Sequence, residues 1–219
     1  MESIRSRARQ QLPSVMLTLL SIVQAIALES FWSNALELNL SLSPTLLNIT
    51  AWLLSIVTLL LIVLIWLVSV SLVMRFEWTP SVTDLTQPFF VGLGQLLLIE
   101  AMMPARISAW FAVLALFFMF VYFSNQGAYR RARQDPINSQ FFATLQPATW
   151  RDHLPNLLYI GLLGAWAGWL YVSPGLGWIS TIALLTSAVV CAGQLRSLTT
   201  FWRHSMGQVE TNVATKSDE

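Results

Sequence analysis

Long apolar runs, separated by short polar connections, set the rhythm of this chain. A helix crossing a bilayer needs about 20 mostly apolar residues at 1.5 Å rise each. Six stretches meet or approach that length: residues 13–32, 45–74, 87–103, 105–128, 155–172 and 175–200. The first, third and fifth are short. The second, about 45 Å long at that rise, must tilt or project beyond the bilayer. The pattern therefore predicts an all-α membrane protein of six transmembrane helices arranged as three hairpins. One membrane domain would occupy residues 1–204, and the polar stretch 205–219 is expected to be a disordered tail.

Prolines punctuate the same division. Pro13, Pro44, Pro88, Pro104, Pro155 and Pro174 fall at or near the expected helix starts. There the missing N–H is harmless and the fixed φ suits a first turn. Pro80, Pro136 and Pro147 lie in the polar connections. The basic, then apolar N-terminus resembles a signal peptide in outline. Gln24 and Glu29 interrupt its apolar run and no small-x-small cleavage site follows, which favours an uncleaved first span.

Residues 36–43, LELNLSLS, alternate apolar and polar with the period of a half-buried strand. Either the leucines lie in the headgroup region or the segment pairs with a copy in a neighbouring subunit. Residues 137–150 read as an interfacial stretch anchored by Phe141, Phe142 and Trp150.

Composition agrees with a membrane setting: 55% of residues are hydrophobic, 11% are charged and mean hydropathy is +0.61. A net charge of +1 gives no basic field for nucleic acid. The distribution of charge is more informative. Arg5, Arg7, Arg9, Arg75, Arg130, Arg131, Arg133, Arg151, Arg196 and Arg203 all fall on one side of the expected topology, and Arg106 on the other. The positive-inside rule then makes both termini cytoplasmic, in a cytoplasmic (inner) or plasma membrane. Trp32, Trp78, Trp150, Trp178 and Trp202 fall at span ends, where amphipathic rings favour the interface.

Polar residues inside spans are the candidates for function. In the first span, Ser14, Thr18, Ser21, Ala25 and Glu29 share one helical face, with Gln24 beside it. That stripe suits a hydrated path for a monovalent cation or small solute, or close packing against another helix. In the third span, Gln95 and Glu100 are the polar positions. Glu100 is placed either to pair with Arg106 across the turn at Pro104 or to meet Glu29 at a shared external mouth. A shift of 71 residues superposes Gln24 on Gln95 and Glu29 on Glu100, although so few identities fit chance equally well. Ser180, Ala183, Ser187, Cys191 and Gln194 in the last span, and Gly161, Gly164 and Gly168 in the fifth, read as packing faces.

The missing chemistry narrows the field further. His153 and His204 both lie outside the apolar spans, so membrane-embedded haem or di-iron ligation has no histidines. There is no GxSG serine, HExxH or GxxxxGK[ST]. One cysteine, Cys191, supports neither a disulfide framework nor a CxxC pair. Asp84, Asp135 and Asp152 are scattered in connections, which does not suggest a Mg²⁺ site. The reading is non-catalytic, without cofactor or metal. It is a cation or small-solute channel or transporter in a homo-oligomer, with Glu29, Gln24, Ser21, Thr18, Glu100 and Gln95 as contacts. The alternative is a non-catalytic scaffold or accessory subunit of a membrane complex.

Overall fold

The structure, a computed structural model, describes residues 4–38, 45–143, 149–173 and 177–217. Its helices are α1 (Ile4–Glu37), α2 (Leu46–Arg75), α3 (Val82–Glu100), α4 (Ile107–Gln134), the short α5 (Ser139–Ala143), α6 (Trp150–Val172) and α7 (Gly177–Ser217). Single 3-10 turns occupy Pro104–Arg106 and Pro136–Asn138. Five segments are long and apolar enough to cross a membrane: Ser6–Glu37, Leu46–Arg75, Val82–Glu100, Pro104–Gln134 and Gly177–Arg203. The chain is thus a multi-pass, all-helical membrane protein. At 23 residues α6 has the length of a span, but its glycines, tryptophans and tyrosines dilute its hydropathy.

Pro104 opens its turn as expected, whereas three other helix starts depart from the proline positions. α3 starts at Val82 because Ser81 and Asp84 form a reciprocal capping box, which leaves Pro88 in the second turn. α6 starts at Trp150, with the Asp152 carboxylate accepting the Thr149 N–H at 2.7 Å, and Pro155 again falls in the second turn. Pro13 lies inside α1, which begins at Ile4. Pro88 and Pro155, in second turns, and Pro13, in a third turn, each forfeit a hydrogen bond to the carbonyl four residues back without ending the helix. At the other end, α7 remains helical to Ser217, where an unstructured tail was expected from residue 205. No proline or glycine follows Gly207, and extending an existing helix gains a hydrogen bond per residue. Leu36 and Glu37 complete the last turn of α1 instead of opening a strand, while residues 39–43 of that expected strand lie outside the described residues.

The most extensive packing pairs α4 with α6, α2 with α7 and α1 with α3. Among consecutive helices, α1 packs on α2 and α3 on α4, whereas α6 and α7 touch only slightly. Leu54, Leu61, Leu98, Trp110, Phe111, Leu163 and Leu184 make the fully buried centre. Large apolar side chains including Leu47, Phe89, Leu116, Phe123, Leu158 and Val189 face outward. In lipid that exposure carries no penalty, so helix association rests on close packing and interhelical hydrogen bonds.

Candidate functional site

The stripe on α1 faces away from the bundle: Ser14, Thr18, Ser21, Ala25 and Glu29 are all exposed. The Thr18 and Ser21 hydroxyls donate back to the Ser14 and Leu17 carbonyls at 2.9 and 2.8 Å. Glu100 and Arg106 approach to 3.5 Å on an exposed surface, the geometry of a weak ion pair. Gln24 and Gln95 do come together. Gln95 is fully buried and donates to Gln24 at 3.4 Å, and Gln24 donates to the Ile62 carbonyl of α2 at 3.2 Å. This small network joins α1, α2 and α3. The Gln95 carbonyl oxygen has no hydrogen-bond partner.

An apolar groove of about 460 Å³ opens between α1 and α2, lined by Phe31, Trp32, Trp52 and Leu59. Further open space lies in the seam between the α4–α6 pair and the α2–α7 pair. One cleft, of about 770 Å³, opens beside the N-terminal ends of α2, α4 and α7, with Thr50, Ser108, Tyr171 and Ser180 in its wall. A second, of about 350 Å³, opens toward the arginine-rich end among Tyr122, Asn125, Tyr129, Asn156, Gln194 and Ser197. From Ser108 to Phe118 on α4, and from Ile160 to Leu170 on α6, the closed stretch between them is about 15 Å by helical rise. Trp110, Phe111, Leu163 and Leu184 fill it.

Hydrogen bonds mark the seam at each level. Thr50 and Thr181 hydroxyls meet at 3.0 Å beside the larger cleft. In the closed middle Trp110 Nε1 donates to Thr58 Oγ1 at 3.1 Å, tying α4 to α2. Tyr122 OH and His153 Nδ1 meet at 2.6 Å, tying α4 to α6. The Tyr159 hydroxyl lies beside Ser187 and Cys191, buried and without a hydrogen bond of normal geometry. The acceptor oxygen of Asn125, in the wall of the smaller cleft, also lacks a partner.

The aspartates read as scattered loop residues are built into the arginine-rich end. Asp84, 2% exposed, accepts from Ser81 N–H, Ser81 Oγ and Trp78 Nε1 at 2.9, 2.8 and 3.1 Å, and pairs with Arg131 of α4. Trp78, expected at the membrane interface, is therefore buried. Asp135 pairs with Arg9 of α1 at 2.8 Å. Asn138 bonds both ways with the Glu77 backbone and donates to the Ala132 carbonyl at 2.8 Å. Phe141 and Phe142, expected as membrane anchors, instead pack on the buried Phe76 ring with centroids 5.1 and 5.2 Å away. The signal for Asp84 was readable as Ser81-x-x-Asp84, an N-terminal capping pattern. Its pairing with Arg131, forty-seven residues away, had no local signal.

The glycines divide in the same way. A Cβ on Gly92 would meet Val23 Cγ1 at 2.9 Å, and one on Gly94 would strike the Phe117 ring. Gly161, Gly164 and Gly168, expected to be a packing face, have nothing within 4 Å of such a Cβ. Among the described residues nothing covers the glycine face of α6.

Among the described residues, no group of three His, Cys, Asp or Glu gathers as a metal site. No protein-family model matches the chain, and no characterised protein or solved structure shows significant similarity to it.

Proposed function

We propose that the chain crosses the membrane six times, with α6 as the additional span and both ends on the cytoplasmic side. In this reading it moves a small polar solute along the seam between α4–α6 and α2–α7. The carrying observation is the pair of clefts opening toward opposite ends along the same four helices, separated by a short closed stretch. The orientation follows from the arginines clustered around the smaller cleft's end.

The lining favours an uncharged solute over a cation. The residues around both clefts include amides, hydroxyls and phenols but no carboxylate. Such groups exchange hydrogen bonds with a neutral solute and supply no counter-charge. Transport would require the Trp110–Thr58 and Tyr159–Ser187 level to part, with the two helix pairs rocking against each other. No catalytic step is part of the proposal.

The test uses single-cysteine variants in a Cys191→Ser background. Ser180→Cys should react with an impermeant thiol reagent from the external side only, and Ser197→Cys from the cytoplasmic side only. Ser187→Cys, in the closed level, should react slowly from either side. Labelling of both cleft positions from one side would overturn the orientation and the path together. A wholly unreactive Ser187→Cys, with no glycerol or urea flux in proteoliposomes, would leave a static bundle. A scaffold is the second reading, favoured by the uncovered polar stripe of α1 and glycine face of α6. It predicts a partner protein that co-purifies in mild detergent.

A further inference from the structure

Three arginines at the arginine-rich end differ in how their charge is met. Arg9 has Asp135 and Arg131 has Asp84. Arg75, at the last turn of α2, pairs with no carboxylate among the described residues. Its Nε and Nη2 are buried without hydrogen-bond partners. Its guanidinium carbon sits 4.3 Å from the Phe201 ring centroid and 4.9 Å from that of Trp202. Ring faces offset part of the cost of desolvating a cation, but they accept no N–H hydrogen bond in its plane. An oxyanion would take that role, because its oxygens match the guanidinium fork.

Arg75 also stands at the mouth of a container. Phe201, whose ring lies under the Arg75 guanidinium, lines the smaller cleft together with Tyr129. Beyond them hydrocarbon (Leu64, Ile65, Val68, Phe118, Val121 and Ile160) shares the wall with Tyr122, Asn125, Asn156 and Gln194. Between α6 and α7, which touch only slightly, the cleft is left without a packed wall. In a bilayer, acyl chains would be its neighbour on that side.

We propose that this cleft binds an anionic phospholipid, with the phosphate on Arg75 beside Tyr129 and an acyl chain along Val68, Val121 and Ile160. The charge, the missing hydrogen-bond acceptors and the apolar part of the wall all describe an amphiphile with an anionic head. Binding needs this cleft alone, not passage through the seam, so it stands or falls separately from transport.

Native mass spectrometry of the full chain in mild detergent, titrated with phosphatidylglycerol or phosphatidylcholine, tests it. Wild-type protein should retain phosphatidylglycerol preferentially, and Arg75→Gln should weaken that retention about tenfold, the scale of a lost charge-assisted contact. Arg130→Gln, an equal change of charge on an exposed part of α4, should retain it unchanged. An equal drop in Arg130→Gln, or no preference for the anionic lipid, would overturn the site. Displacement by millimolar inorganic phosphate would identify a free-anion site and overturn the lipid assignment. If Arg75→Gln does not fold, Val68→Trp fills the cleft with Arg75 intact and should reduce retention. Unchanged retention in that variant would equally overturn the proposal.

Discussion

At Gly94 an added Cβ would run into the ring of Phe117, whereas at Gly164 it would meet nothing within 4 Å. That contrast holds at every level between two regions of the bundle. Where α1, α3 and α4 meet, backbones approach closely, Gln24 and Gln95 bond across the interface, and Asp84 and Asp135 hold arginines from other helices. Along the seam bordered by α6 and α7 there is slight contact between those two helices and two clefts, and the glycine face of α6 meets none of the described residues. A membrane bundle gains no hydrophobic drive to close such a gap, since lipid solvates its walls as well as leucine would. Openness persists where close packing of α6 on α7 is withheld.

The largest effect expected from breaking this contrast comes from Asp84. Its carboxylate is buried and engaged by Ser81, Trp78 and Arg131. Asp84→Asn keeps the shape but leaves the Arg131 guanidinium without its charge partner, a loss of about 3–5 kcal/mol for a buried pair. Reversible unfolding in mixed detergent micelles should register it, and adding Arg131→Met should recover part of the loss. Equal stability of wild type and Asp84→Asn would remove the fastening role. Gly94→Ala comes next. It must displace Phe117 and should cost about 1–3 kcal/mol as overpacking, with relief by Phe117→Leu.

Gly164→Ala reverses the sign. With open space at its Cβ, alanine should stabilise α6 by up to about 1 kcal/mol through helix propensity alone. The same unfolding assay checks the direction. If Gly164→Ala instead destabilises the protein or changes its size on a gel-filtration column, another chain covers that face.

These two regions were unequally legible in the sequence. Apolar run length located the long helices, because bilayer thickness imposes that length without reference to tertiary contacts. Proline was a weaker guide than the Ser81-x-x-Asp84 and Thr149-x-x-Asp152 caps, since Pro88 and Pro155 are tolerated a turn inside the starts those caps define. Of the proposed contacts, Gln24 with Gln95 was brought together by two helices crossing at equivalent depths. The shared face of Thr18, Ser21 and Glu29 fits either a hydrated path or close packing, and periodicity states which residues lie together and not which way they point; in this chain they point outward. The seam escaped notice because its walls are drawn from four helices, each contributing ordinary amides and hydroxyls. Arg75 drew attention only as a topological charge, for the absence of a partner is a property of the folded end and not of the residue.

The smallest expected effect concerns the entrance to α6, at the edge of the open region. The Asp152 carboxyl is held below the usual carboxylate range, first by the Thr149 N–H, then by the Thr149 hydroxyl, with His153 adding a lesser pull. A depressed pKa means that the cap contributes fully above the ordinary carboxyl value of about 3.9 and is lost as pH falls through the lower folded value. Amide protection across residues 150–156, corrected for intrinsic exchange, should therefore stay level from neutral pH to about pH 4 and decline only below it. In Asp152→Asn the protection should be lower at neutral pH and should lack this acid step. Protection that is unchanged in Asp152→Asn would make the Tyr122–His153 contact, and not the cap, the element that holds the start of α6.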